Sequence, residues 1–135
     1  MAFTATLEFG DNNIKRYAKK YLVADCRFLF ERPYNGFSPE GAARCERVEV
    51  VVVAPGKEDL GLFEWFYSQG VRDGRLVLSL QSVTSDEDIQ YLYFDEAKCF
   101  SLSECYDVDT AKRRLLKLGI MAEKITIDDV AFKRI

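Results

Sequence analysis

Apolar residues return at every second position along most of this chain, and a chain written in that rhythm is a chain of β-strands. Phe3, Ala5, Leu7 and Phe9 alternate with Thr4, Thr6 and Glu8, and Gly10-Asp11-Asn12-Asn13 then reads as a turn. Tyr21 to Phe30 is a long apolar run broken by Asp25 and Arg27. Arg44 to Ala54 sets Val48, Val50 and Val52 on one face, while the other face changes from Arg47 and Glu49 to Val51 and Val53. A strand apolar on both faces needs cover on both sides at that end. Asp73-Gly74 carries a turn signal before the strand Leu76 to Leu80, and Asp86 to Asp88 reads as an acidic turn. Ile89 to Ser103 opposes Ile89, Tyr91 and Tyr93 to Leu92 and Phe94. In Lys112 to Ile127, Leu116, Leu118, Ile120 and Ala122 share one phase, and Ile125 and Ile127 take the other. Such a switch predicts a bulge or bend, as where a sheet curls into a barrel.

Only residues 59–69 break the rule. Leu62, Phe63 and Phe66 fall at helical spacing, with Asp59 as N-cap and Gly70 just past the end. Their stripe would plug an open end or side of a barrel. The expected fold is therefore mainly β: a small antiparallel β-barrel of about seven or eight strands with one flanking α-helix near residues 59–69. Phe28, Phe30, Phe94 and Phe100 argue for a filled interior. At 135 residues, without a linker or repeat, the chain reads as one domain over residues 1–135.

Composition narrows the function. There is no histidine, so no Ser–His or Cys–His couple exists and the commonest zinc and iron ligand is missing. Carboxylate chemistry stays open, but the reading is not an enzyme. Cys26, Cys45, Cys99 and Cys105 include no CxxC pair and read as free thiols, with two disulfides the alternative. Gly56-Lys57 lacks the upstream glycine and the following Ser or Thr of a phosphate loop. Asp86-Glu87-Asp88 and Asp107-Val108-Asp109 lack calcium-loop spacing. Lys15, Arg16, Lys19 and Lys20 with Tyr17 and Tyr21 form a small basic–aromatic cluster, but the net charge is −3, which argues against nucleic acid. Lys112-Arg113-Arg114 reads as the start of an exposed strand edge. The N-terminus has no secretory pattern, and the longest apolar run, Val50 to Ala54, is too short for membrane insertion.

Glu31 to Ala43 is a long Pro- and Gly-containing loop carrying Tyr34 and Phe37 between two strong strands, which points to a contact role. The order of features around it resembles a known family. A strand leads into that extended loop, and a valine strand follows. Next come Leu62-x-x-Trp65 and Asp73-Gly74, then Phe94-x-x-Ala97-x-Cys99. The close reads Leu116-x-Leu118-x-Ile120-x-Ala122-Glu123-x-Ile125-x-Ile127. This is similar to the tube protein of type VI secretion systems, the Hcp or TssD family, in its Bacteroidetes form; Lys98 stands where that family carries an aromatic. The resemblance implies a structural subunit with no catalytic site and no cofactor. It implies homo-hexameric rings that stack into a tube, with sheath, spike and effector proteins as partners. The subunit would be cytoplasmic when assembled, then secreted without a signal peptide. The contact element would map to Arg32, Pro33, Tyr34, Asn35, Gly36, Phe37, Ser38 and Pro39. A small-ligand-binding barrel and the tail tube protein of a contractile phage-like particle are the alternative readings.

Overall fold

Six of the alternating segments close on one another. The computed structural model describes residues 3–31, 34–35, 38–39, 44–55, 59–81, 87–107, 113–128 and 130–133, with the backbone alone described at 3, 31, 34–35, 38–39, 44–46, 80–81, 87–88, 105–107, 113 and 132–133. The elements are β1 (Phe3–Asp11), β2 (Arg16–Glu31), β3 (Tyr34–Asn35), β4 (Ser38–Pro39), β5 (Arg44–Val53), α1 (Gly61–Ser68), β6 (Arg72–Gln81), β7 (Glu87–Asp107), β8 (Arg113–Ile127) and β9 (Val130–Lys133). The main sheet runs β5-β2-β1-β6-β7-β8-β9, all antiparallel, and β5 pairs back onto β8. The result is a closed six-stranded barrel with β9 outside, lying on β8. β3 and β4 form a separate two-stranded ribbon.

A barrel this narrow fills its interior with side chains. Ala5, Leu7 and Phe9 point inward from β1, Val48, Val50 and Val52 from β5, Leu92 and Phe94 from β7, and Leu116, Leu118 and Ile120 from β8, all buried. Phe9 is the hub: its ring meets Trp65, Phe94 and Tyr21 edge-on at 5.1, 6.0 and 6.0 Å. Of the other expected core aromatics, Phe28 packs only partly against this cluster. Phe30 and Phe100 are not core residues and lie substantially exposed. Val51 and Val53 are half-buried, which matches the predicted covering of that end of β5.

The expected phase switch is real and involves two strands. On β7 the inward set passes from Leu92 and Phe94 to Ala97 and Cys99; on β8 it passes from Ile125 to Ala122 at the same level. Glu96 makes the bend with φ 51°, and its N–H donates to Asp73 Oδ1 at 2.8 Å. Asp73-Gly74 is therefore not a turn. It lies within β6 at a register shift, and a side chain at Gly74 would collide with the Glu8 carbonyl and the Phe94 ring. A second irregularity between Cys99 and Ser101 turns Phe100 outward, over Gly119. Nor does Arg114 lie on an edge, because it pairs with Tyr106 of β7 on one side and its carbonyl accepts the Ala54 N–H on the other; Arg113 pairs with Asp107 of β7, and Lys112 lies outside the described residues.

α1 is shorter than the expected 59–69 and closes one end of the barrel. Asp59 stands one residue ahead of the helix cap, where its carboxylate accepts the Gly61 N–H (3.0 Å) and pairs with Lys19 (3.0 Å). The left-handed residue after the helix is Gln69 (φ 58°), not Gly70. The buried pair is Leu62 and Trp65, while Phe63 is half-buried and Phe66 is turned to solvent. Trp65 Nε1–H donates to the carbonyls of Gly70 (3.0 Å) and Ala97 (3.2 Å), tying the plug to β7.

Candidate assembly surface

Around the barrel, one outer face is closed off by its own contacts. Glu8 projects outward from β1 yet is only 5% exposed. It accepts from Arg75 Nε (2.9 Å) and Thr6 Oγ1 (3.0 Å). The Arg75 guanidinium lies 4.2 Å from the Tyr17 ring and 5.2 Å from the Tyr91 ring. Tyr91 stacks on Tyr93, and Lys15 Nζ sits 3.8 Å above Tyr93. Burial is the largest single influence on Arg75 and works against its charge, but the bonds to Glu8 and Tyr93 and the Glu8 and Tyr17 charges together outweigh it and hold its pKa above the ordinary value. Asn12 holds the adjoining turn, donating to the Phe94 carbonyl (3.0 Å) and accepting from Tyr17 Oη (2.7 Å).

The basic–aromatic cluster seen in the sequence is dispersed by this arrangement. Lys15 belongs to Tyr93, Lys19 to Asp59, and Tyr21 points into the core. Burial, and then the Asp59 carboxylate, push the Tyr21 phenol upward. Cys26 and Cys99 are free thiols; burial raises both, Cys99 to about 11. The side chains of Cys45 and Cys105 are not described. The Gly56-Lys57 stretch and most of the two acidic stretches lie outside the described residues. Among the described residues, no three His, Cys, Asp or Glu side chains gather as a metal group, and no helix is long and apolar enough to cross a membrane.

Two other faces remain open. Between α1 and the outer side of β7 runs a groove of about 550 Å³ lined by Phe66, Tyr67, Gln69, Lys98, Cys99 and Phe100. Phe66, Tyr67 and Phe100 are 39%, 88% and 40% exposed there. A second groove shares Lys98 and Phe100 and extends over Met121 and Glu123 on β8. The other face is the outer side of β2, where Leu22 and Leu29 are exposed. Sequence reasoning missed both. The signal available was a strand apolar in both phases, as at Cys99-Phe100 and Tyr21-Leu22-Val23.

The expected contact segment lies beyond β2. Its backbone forms the ribbon in which Tyr34 pairs with Pro39 and Asn35 with Ser38. Arg32, Pro33, Gly36 and Phe37 lie outside the described residues, and the remaining four are described by backbone alone.

Comparison with known proteins agrees with this geometry. A family model described as "Hemolysin coregulated protein Hcp (TssD)" matches residues 1–135. The barrel is similar to Hcp1 from Flavobacterium johnsoniae (TM-score 0.67, 18% identity, covering 99% of this chain and 100% of that one). It is also similar to secreted Hcp3 from Pseudomonas aeruginosa (TM-score 0.65, 10% identity, 98% of each chain). A third is Hcp1 from Salmonella typhimurium (TM-score 0.63, 11% identity, 98% of this chain and 92% of that one). At such identities the likeness establishes the fold. No curated protein matches the sequence closely enough to count as a relative. The family match spans every residue of the barrel, its plug and its ribbon, and the chain therefore belongs to the Hcp (TssD) family of type VI secretion tube proteins.

Proposed function

We propose that this chain is the repeating subunit of a type VI secretion tube. Six copies close into a ring, rings stack, and a contractile sheath expels the tube behind a spike, with effector proteins carried in the lumen. The subunit is structural rather than catalytic. It assembles in the cytoplasm and leaves the cell within the tube. One observation carries the reading: the interior is filled by the barrel's own side chains, while apolar residues stand exposed on two different outer faces. A filled barrel holds no small ligand inside, and a ring needs two unlike surfaces on each subunit. The Arg32–Pro39 segment is the subunit-contact loop, serving ring-to-ring stacking or contact within the ring.

Negative-stain electron microscopy at high protein concentration, with light-scattering mass alongside, tests this. Six-fold rings with an open centre are expected. The double variant Tyr34→Asp/Phe37→Asp is expected to keep the monomer folded and to weaken stacking or ring closure. A strict monomer at every concentration refutes the tube reading. Unchanged assembly by the double variant refutes the role of Arg32–Pro39.

A further inference from the structure

The two open faces carry opposite charge patterns. On the α1–β7–β8 face, Phe66, Tyr67 and Phe100 are rimmed by exposed Glu96, Lys98 and Glu123: two acids and one base. Glu96 and Glu123 stand opposite each other between the Asp95–Lys124 and Ala97–Ala122 pairs. Like charges across a strand pair repel, so this rim favours cations from elsewhere. On the β2 face, Leu22 and Leu29 are accompanied by exposed Lys20, Asp25 and Arg27: two bases and one acid. None of these six charges has an ion-pair partner among the described side chains. In the six-strand circle, β2 lies two positions from β8 and three from β7. The faces therefore diverge by roughly 120–180°, a range that includes the turn of about 120° between the two contacts of a subunit in a six-membered ring.

We propose that these two faces are the two halves of the side-to-side contact, each occupied by a second copy of this chain, and that their charges select which copies join. The proposal rests on the ring reading above. Apolar burial supplies the attraction, with Phe66, Tyr67 and Phe100 against Leu22 and Leu29. Arg27 of one copy meets the facing pair Glu96 and Glu123 of the next, and Asp25, two residues along β2, meets Lys98, two residues along β7. Lys20, roughly 20 Å from Arg27 along the strand, adds to the positive potential of the β2 face. The pattern sets orientation and rejects tube subunits that present a different rim.

Charge reversal with mixing tests it. One variant carries Glu96→Lys and Glu123→Lys; the other carries Lys20→Glu and Arg27→Glu. All four positions are exposed, and circular dichroism with emission from Trp65, the single tryptophan, checks folding. At a concentration where the native chain has six-subunit mass by light scattering, each variant alone is expected at monomer mass. An equimolar mixture is expected to return to six-subunit mass with the two variants in equal numbers, because in an alternating ring every contact is again complementary. Rings formed by either variant alone, or folded variants that stay monomeric when mixed, overturn the assignment of faces and leave the ring reading standing. A native chain that never forms rings overturns both.

Discussion

Trp65 offers a direct measure of what the helical plug contributes. Replacing it with Phe keeps a ring against Phe9 but removes the indole N–H that serves the Gly70 and Ala97 carbonyls. Each lost hydrogen bond costs about 1 kcal/mol, with the buried Ala97 carbonyl at the upper end. The smaller ring leaves roughly 40 Å³ empty, or about 1 kcal/mol at ~24 cal/mol per Å³. The sum is about 2–3 kcal/mol, a fall in the urea midpoint of about 1 M for a slope near ~2 kcal/mol per M. Trp65→Ala also forfeits the edge-on contact with Phe9 and is expected to cost about 4–5 kcal/mol. Far-UV circular dichroism should follow the unfolding of all three proteins, because both variants lack the only tryptophan. The series is run at several protein concentrations, since assembly adds a concentration-dependent term. A Phe variant within about 0.5 kcal/mol of the native chain would show that the hydrogen bonds and close packing at the plug do not matter. An Ala variant no worse than the Phe variant would refute the role of the ring.

Three further outcomes are expected. Arg75→Met leaves the Glu8 carboxylate covered and unpaired at a cost of roughly 3 kcal/mol, and Glu8→Gln in the same background restores more than half of it in urea titrations; no restoration would show that Arg75 acts only by packing. The Asp59 carboxylate is held below its ordinary 3.8, first by the Gly61 N–H and then by Lys19, so its contribution is present above that value and is lost as pH falls through the folded pKa. Melting temperatures should therefore separate native from Asp59→Asn at pH 7, with the gap narrowing progressively as pH falls below 3.8; a gap that does not change with pH would contradict this. With the Cys99 thiol pushed up to about 11, about one molecule in a thousand is thiolate at pH 8, so iodoacetamide should leave Cys99 unmodified in the native protein while Cys26 reacts slowly. Equal labelling of the two by mass spectrometry would show that the barrel opens at β7.

The barrel was legible because side chains on a strand alternate strictly, so Val48, Val50 and Val52 or Leu116, Leu118 and Ile120 declare their inner face without knowing their neighbours. The bend at Glu96 announced itself in the same way, as a broken rhythm on β8. Other residues depend on contacts far along the chain. Four aromatics crowd α1, and a short helix can bury only two of its positions; Trp65 rather than Phe66 goes inside because its N–H reaches the Ala97 carbonyl on β7. Asp73-Gly74 carries turn chemistry but serves a close approach, since the Phe94 ring occupies the space a side chain would need. Phe100 looks like a core residue until one extra residue after Cys99 reverses it. The open faces stayed hidden for the same reason: their composition matches that of a core strand, and only closure of the barrel decides which phase is left outside.

That closure also sets an order in time. The last seam joins β5 to β8, where Val48 pairs with Ile120, 72 positions further along. Contacts so distant in sequence form slowly, because the loop between them must be ordered before they contribute anything. During synthesis, at about 5–20 residues per second, β1, β2 and β5 are complete for several seconds before β8 exists. For that interval β5 offers a valine-rich edge, Val48 to Val53, to any strand nearby. In a cell making many copies at once, the nearest such strand belongs to another unfinished chain. The yield of folded protein is therefore governed by how soon β8 arrives, and slowing translation between Val53 and Arg113 should raise aggregation without changing the stability of the finished barrel.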